Sequence, residues 1–301
     1  MAEIGPYSNY RLTVRLELAN KPGIFSRVAA LLAEEAANLG AVDLVSATKT
    51  RMVRDVTFDV HNEEHGERVL ARLSTLPDVT VLSASDRIFL LHLGGKIRVE
   101  GKIPINTRNV LSMVYTPGVG RVSLAIARDK SKVYAFTSKS NSVAVITDGS
   151  AVLGLGNLGP EAALPVMEGK VMLFKELAGI DAWPVCLNTQ DPDEIVRIVQ
   201  GIAPGFGAIN LEDISAPRCF EIERRLKASL DMPVMHDDQH GTAVVILAAL
   251  TNALTVTGKR IEDIRVVVNG LGAAGTACCR MLLAAGVSHL LGCDKEGIIL
   301  S

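Results

Sequence analysis

The spacing of apolar residues changes three times along the chain. In Arg11–Leu18, Leu12, Val14, Leu16 and Leu18 alternate with Arg11, Thr13, Arg15 and Glu17, the period of a half-buried strand. Asn20-Lys21-Pro22-Gly23 breaks that run, and Ile24, Val28, Leu31 and Leu32 then recur at helical spacing up to a stop at Gly40. Two β-rich runs follow, Ala41 to Ala47 and Met52 to His61. A helical pattern spans Glu63 to Leu76, with Val69, Leu70 and Leu73 on one face, and Val79 to Leu91 supplies a last strand region. The order strand, helix, strand, strand, helix, strand predicts a ferredoxin-like domain over residues 8–93.

Gly94-Gly95-Lys96 opens a polar stretch, residues 94–108, that reads as a linker. Strands and helices then alternate. Pro117 to Arg128 reads as a helix with proline in its first turn. Val143 to Thr147 is a strand feeding a glycine-rich loop, Gly149 to Gly159. Glu161 to Leu177 is helical, Ala182 to Leu187 a strand, and Asp191 to Ala203 a helix. Ala208 to Leu211 and Pro233 to Met235 are strands on either side of the helix Arg218 to Leu230. The pattern predicts an α/β domain over residues 109–237, with a mainly parallel sheet covered on both faces.

A third pattern occupies residues 238–301. The branched strand Ile264 to Val268 runs into Asn269-Gly270-Leu271-Gly272-Ala273-Ala274-Gly275, then a helix through Met281 to Ala285, then a strand ending near Cys293-Asp294. Here GxGxxG follows a strand, opens a helix and is trailed by an acidic residue, the context of a dinucleotide-binding βαβ unit. Gly270 permits the tight turn, Gly272 lets the backbone approach a pyrophosphate, and Gly275 lets helix and strand pack. The phosphates then face the helix N-terminus at Ala273 and Ala274. Asp294 would bind the adenosine ribose and repel a 2′-phosphate, which favours NAD, whereas its neighbour Lys295 could accommodate NADP. The chain stops at Ser301, so only the first unit of a Rossmann domain is expected, and a fragment is one reading of that.

Composition narrows the class of function. Apolar residues make up 48% and aromatics only 4%, so the core is to be built from Ala, Val, Leu and Ile. A net charge of −2, with both signs interspersed, gives no field for nucleic acid or anionic lipid and points to a small-molecule substrate. Cys186, Cys219, Cys278, Cys279 and Cys293 form no CxxC pair, which suits reduced thiols in the cytoplasm. MAEIGPYSNY lacks the basic start and apolar stretch of a signal peptide, and the apolar run Ala243 to Leu250 is too short to span a bilayer.

In parallel sheets, ligands bind at the carboxyl ends of the strands. Leu211 is followed there by Glu212-Asp213, and Met235 by His236-Asp237-Asp238-Gln239-His240-Gly241. Carboxylates grouped at one sheet edge raise one another's pKa unless a cation lies between them, and a hard divalent ion such as Mg²⁺ or Mn²⁺ takes oxygen ligands. Helix capping by Asp213 and Asp238 would explain one acid of each pair but not the doubling. HDDQH is not the helical HExxH pattern, so His236 and His240 read as local hydrogen-bonders rather than zinc ligands.

With its Asn-Lys-Pro-Gly turn leading into a helix, the first domain resembles an ACT domain. That implies either an amino acid or other small effector bound near the turn and between paired domains, or a dimerisation module with no ligand. From about Asn109 onward the chain resembles the malic enzyme family, bacterial type. The resemblance lies in Tyr115-Thr116-Pro117-Gly118-Val119, Val152-Leu153-Gly154-Leu155-Gly156-Asn157, Pro165-Val166-Met167-Glu168-Gly169-Lys170, Asn210-Leu211-Glu212-Asp213-Ile214 and His236-Asp237-Asp238-Gln239-His240-Gly241-Thr242.

The resemblance implies oxidative decarboxylation of L-malate to pyruvate and CO₂ with NAD(P)⁺ and a divalent metal, in a homodimer or larger assembly. It makes Tyr115 the general acid, Lys170 the general base, Asp237 the residue that tunes Lys170, and Glu212, Asp213 and Asp238 the metal ligands. Larger members carry an arginine before the LGLG segment for a malate carboxylate, and here that place is Ala151. Substrate-binding residues expected further along the family's chain lie beyond Ser301, so metal binding with little turnover is expected of this chain alone. The alternatives are a malolactic-type enzyme that keeps NAD and releases lactate, and an effector-binding regulatory protein with a vestigial catalytic half.

Overall fold

The alternation in Arg11–Leu18 becomes strand β1 (Arg11–Ala19), with Val14, Leu16 and Leu18 buried. It lies in a computed structural model that describes residues 10–300 and divides into two compact units after Lys96. The first unit continues with α1 (Ile24–Glu34), β2 (Asn38–Ala47), β3 (Arg51–Asp59), α2 (Glu63–Ser74), β4 (Val79–Asp86) and α3 (Arg87–His92). The sheet order is β2-β3-β1-β4, antiparallel throughout, which is the ferredoxin-like arrangement. Ile24, Val28, Leu31 and Leu32 of α1 and Val69 and Leu73 of α2 close its core over Val56 and Phe58. On the polar set of positions, Arg11 faces Asp59 and Arg15 faces Asp55 across the β1–β3 ladder as two-pronged ion pairs.

Two boundaries differ from the periodic reading. The last strand ends at Asp86, whose carboxylate accepts the Ile88 N–H at 2.7 Å and starts α3, so an Asp cap overrides the apolar run Ile88–Leu91. Gly40 lies inside β2 rather than ending α1. A Cβ there would meet the Thr57 carbonyl oxygen at 3.2 Å, and the helix instead ends at Glu34, with the chain turning at Ala36, φ 56°.

The second unit opens without helix or strand until α4 (Arg108–Val114), yet Ile97, in the stretch read as a linker, packs against Val145, Met167 and Val171. Next come α5 (Val119–Arg128) and α6 (Val133–Phe136); Pro117 lies in the turn before α5, not in its first turn. Alternation then runs β5 (Ser142–Thr147), α7 (Pro160–Ala178), β6 (Asp181–Cys186), α8 (Pro192–Ile202), β7 (Ala208–Leu211), α9 (Arg218–Ser229) and β8 (Val234–His236). These four strands are parallel in the order β6-β5-β7-β8. Ala144 and Ile146 join Ile209, Leu211 and the inner faces of α8 and α9, whereas Val145 packs on Met167 and Val171 of α7. Burial on both faces is why β5 reads as an unbroken apolar run.

The remainder is α10 (Asp237–Thr257), β9 (Arg265–Asn269), α11 (Ala273–Ala284), β10 (His289–Asp294) and β11 (Gly297–Leu300). β9 and β10 pair in parallel, and β11 returns antiparallel on β10. By length and composition α10 could cross a membrane, as could the stretch Arg108–Arg128. The first turn of α10 nevertheless carries Asp237 and Asp238, and Ala243 packs against Ala277 and Cys278 of α11.

Candidate metal centre and active site

Each acidic residue of the candidate site is placed by the end of a buried strand. The Glu212 N–H completes the ladder to the Ile146 carbonyl at 2.8 Å, so the residue after β7 is still held by the sheet. Its Oε2 accepts from Asn210 Nδ2 at 3.0 Å. Asp213 then turns the chain at φ 55°, a left-handed conformation that Asp tolerates better than most residues. Two contacts hold that turn: Ala151 N–H donates to the Asp213 carbonyl at 3.0 Å, and Asp213 N–H donates to Asp238 Oδ2 at 2.9 Å. Neither Asp213 nor Asp238 caps its neighbouring helix, for α9 and α10 begin without a side-chain cap bond.

Glu212, Asp213 and Asp238 offer one oxygen each within 4.8 Å of one another. Burial, reinforced by the charge of neighbouring acids, pushes Glu212 up to about 7 and Asp213 up to about 6. Burial pushes Asp238 up too, but His236, the Asp213 N–H and Lys170 together outweigh it and hold Asp238 below the ordinary carboxylate range. Asp213 Oδ2 is buried with no hydrogen-bond partner. An orphaned oxygen in a set of three hard donors fits a divalent cation of the Mg²⁺ or Mn²⁺ type. His236 is fully buried; its Nε2 lies 3.0 Å from Asp238 Oδ2 but off the line of a hydrogen bond. Glu223, buried behind it, accepts from His236 N–H at 3.0 Å and pairs with His240 Nε2 at 2.7 Å.

Lys170 reaches this group from α7. Its Nζ donates to Asp237 Oδ2 at 2.5 Å and lies 3.2 Å from Glu212 Oε1. Burial lowers its pKa, but these two carboxylates outweigh burial and the net shift is upward. Asp237 has room because residue 241 is glycine: a Cβ there would stand 2.5 Å from Asp237 Oδ1. Lys170, Asp237, Glu212, Asp213 and Asp238 are thus brought together. Tyr115 is not joined to them by any described bond. It follows α4 just before a cis Thr116–Pro117 bond, and it is 67% exposed.

At the glycine turn, Gly270 has φ 99°, and a Cβ on Gly275 would fall 1.8 Å from the Gly270 carbonyl oxygen. The first turn of α11 therefore presses on the loop in a way that only glycine permits. Space beside Gly270 and Gly272 is open, and Ala273 and Ala274 are the first two residues of α11. Asp294 ends β10, and its Oδ1 accepts from Lys295 N–H at 2.7 Å.

The sequence assigns no role near the site to Asp148, Ser150, Ser215 or Arg218, and Asn210 figures only within a longer segment. Asn210 and Asp148 carried a usable signal, a polar side chain inside or directly after a buried strand.

The malic enzyme N-terminal domain family matches residues 94–227, and the ACT domain family matches residues 7–83. Residues 94–227 are thus similar to the N-terminal domain of malic enzymes. It is 54% identical over 288 residues to an NAD-dependent malic enzyme of Geobacillus stearothermophilus, covering 96% of this chain and 60% of that one. It is also 54% identical over 220 residues to a bifunctional malic/malolactic enzyme of Bacillus subtilis, covering 72% of this chain and 54% of the relative. A crystal structure of an NAD-dependent malic enzyme from Thermotoga maritima matches with a TM-score of 0.69 and 52% identity, over 71% of this chain and 57% of that chain. The chain therefore spans about three-fifths of the length of the Geobacillus stearothermophilus and Thermotoga maritima enzymes.

Proposed function

We propose that this chain carries the metal and acid–base machinery of an enzyme that oxidises L-malate and decarboxylates it to pyruvate and CO₂, with NAD⁺ as acceptor. The observation that carries the reading is Lys170, held by Asp237 and Glu212 at the edge of a three-carboxylate group. Glu212, Asp213 and Asp238 would hold Mg²⁺ or Mn²⁺, which supplies Lewis acidity at the substrate oxygens. Lys170 takes the malate hydroxyl proton. Neutralising Glu212 removes one of the two attractions that keep this amine protonated, which frees it to act as a base. Asp237 orients the amine. Tyr115 returns a proton to the C3 carbon after CO₂ leaves. Gly270, Gly272, Ala273, Ala274 and Gly275 receive the pyrophosphate at the N-terminus of α11, and Asp294 the adenosine ribose, which selects NAD over NADP.

The proposed assembly is a homodimer in the cytoplasm. Its support is an apolar stretch before the sheet in which Val99, Ile103, Ile105, Met113, Leu124 and Phe136 are each more than half exposed, with Tyr115 among them. For the first unit, an amino acid or other small effector is the proposed ligand.

The test is Mn²⁺-dependent release of CO₂ from oxaloacetate by this chain and by its Asp238→Ala variant. Release that needs Mn²⁺ and disappears in the variant supports the reading; equal release from both proteins overturns it. Equal yields of CO₂ and free NADH from malate would exclude malolactic chemistry.

A further inference from the structure

A fourth carboxylate stands at the same sheet edge. Asp148 directly follows β5, and its side chain is fully buried. By its position it belongs with Glu212 and Asp213, yet its bonds lead elsewhere. Oδ1 accepts from Ser150 N–H at 2.9 Å and from Ser150 Oγ at 2.6 Å, and Oδ2 pairs with Arg218 Nη2 at 3.3 Å. Ser150 Oγ in turn accepts the Ser215 N–H at 2.9 Å, and Arg218 Nη2 donates to Ser215 Oγ at 2.9 Å. The other arm of the guanidinium, Nη1, donates to the Gln190 carbonyl at 2.5 Å, tying in the loop after β6.

Residues 213–215 are therefore gripped from two directions. Ser150 and Ala151 hold the backbone at Ser215 and Asp213, and Arg218 holds the Ser215 side chain against Asp148. Asp213 sits at the start of this segment in its left-handed conformation, with one buried oxygen unpartnered. A residue held in a sparsely populated conformation persists only where its surroundings over-determine it. Neither Asp148 nor Arg218 has a described bond to the side chain of Glu212, Asp213 or Asp238.

We propose that Asp148 and Arg218 are positioning residues: their ion pair fixes the Ser150–Ser215 contact and so sets the Asp213 carboxylate for a divalent cation. This rests on the cation reading of the site. Arg218 also neutralises Asp148, which keeps a fourth negative charge out of the ligand group. Outer groups that orient metal ligands contribute about 10–100-fold to affinity.

The experiment is Mn²⁺ titration of the purified chain, with free Mn²⁺ followed by electron paramagnetic resonance and folding followed by circular dichroism. Asp148→Asn and Arg218→Gln should each weaken Mn²⁺ binding by about 10-fold or more. Arg218→Lys, which keeps the charge but loses the fork, should recover part of that. The double variant should bind little worse than either single one, because the two side chains act as a unit. Ser150→Ala, a smaller change, serves where the charge variants do not fold and should weaken binding in the same direction. Arg225→Gln, which removes two surface ion pairs of the same helix, to Asp193 and Glu221, should bind as the parent does. Parent-like affinity in Asp148→Asn, Arg218→Gln and Ser150→Ala, with binding lost in Asp238→Ala, overturns this inference alone. A parent chain that does not bind Mn²⁺ overturns the cation reading and this inference together.

Discussion

Lys170 Nζ and Asp237 Oδ2 are 2.5 Å apart although 67 residues separate them in the chain. The pair joins helix α7 to the first turn of α10, and Glu212, 3.2 Å from the same nitrogen, links it to the carboxylate group.

Removing Asp237 takes away an attraction that keeps Lys170 protonated. In Asp237→Asn the Lys170 pKa therefore falls, and the acid limb of the pH profile for malate oxidation moves to lower pH. The plateau should fall less than in Lys170→Met, where loss of the base costs about 10²–10⁴-fold. Rates of NADH formation across pH check both shifts; an unmoved acid limb in Asp237→Asn would show that Lys170 is not the group titrating.

A cation held as proposed would compete with protons for Glu212 and Asp213, which burial pushes up to about 7 and about 6. Mn²⁺ affinity should rise from pH 5 and level off above about pH 8. Both folded-state values are raised above the unfolded ones. Their contribution to stability is thus fully present below about pH 4 and is lost as pH climbs through 6 and 7. Mn²⁺ should accordingly raise Tm more at pH 8 than at pH 5.5, which calorimetry at the two values would measure.

Gly241→Ala places a Cβ 2.5 Å from Asp237 Oδ1. The carboxylate can swing away, so the fold survives, but the Lys170 contact does not. The expected outcome is a fall in kcat of about tenfold with Tm nearly unchanged, since exposed or yielding sites cost little stability. A parent-like kcat would mean that Asp237 need not hold Lys170.

Gly275→Ala meets backbone, not a flexible side chain: its Cβ would lie 1.8 Å from the Gly270 carbonyl oxygen. The glycine turn must open, and NADH binding, followed by fluorescence, should weaken by about tenfold or more while Mn²⁺ affinity stays at the parent value. Weakened Mn²⁺ binding would place the glycine turn in contact with the carboxylate group.

The grouping of the acidic side chains was legible in the sequence. Glu212, Asp213 and Asp238 announced themselves as acids doubled at strand ends, and Gly270 and Gly275 as glycines between a strand and a helix, because those signals are local. Element ends were less legible. Asp86 starts a helix in a run that reads as strand, and Gly40 lies within a strand though it reads as a helix stop; a single cap or one close backbone approach outweighs the apolar period there.

The contrast between Asp148 and Asp213 marks where sequence stops and tertiary structure takes over. Both are acids that follow a buried strand of the same sheet, and the chain alone determined that much: the faces of the strands, the turns after them and the acids placed there. Which acid is free for a cation depends on the strand order β6-β5-β7-β8, which sets the ends of β5 and β7 side by side. That juxtaposition brings Arg218 across 70 residues to neutralise Asp148, while Asp213 keeps an unpartnered oxygen beside Glu212 and Asp238. Periodicity reaches only a few residues, whereas Coulomb attraction acts between whatever the fold brings close.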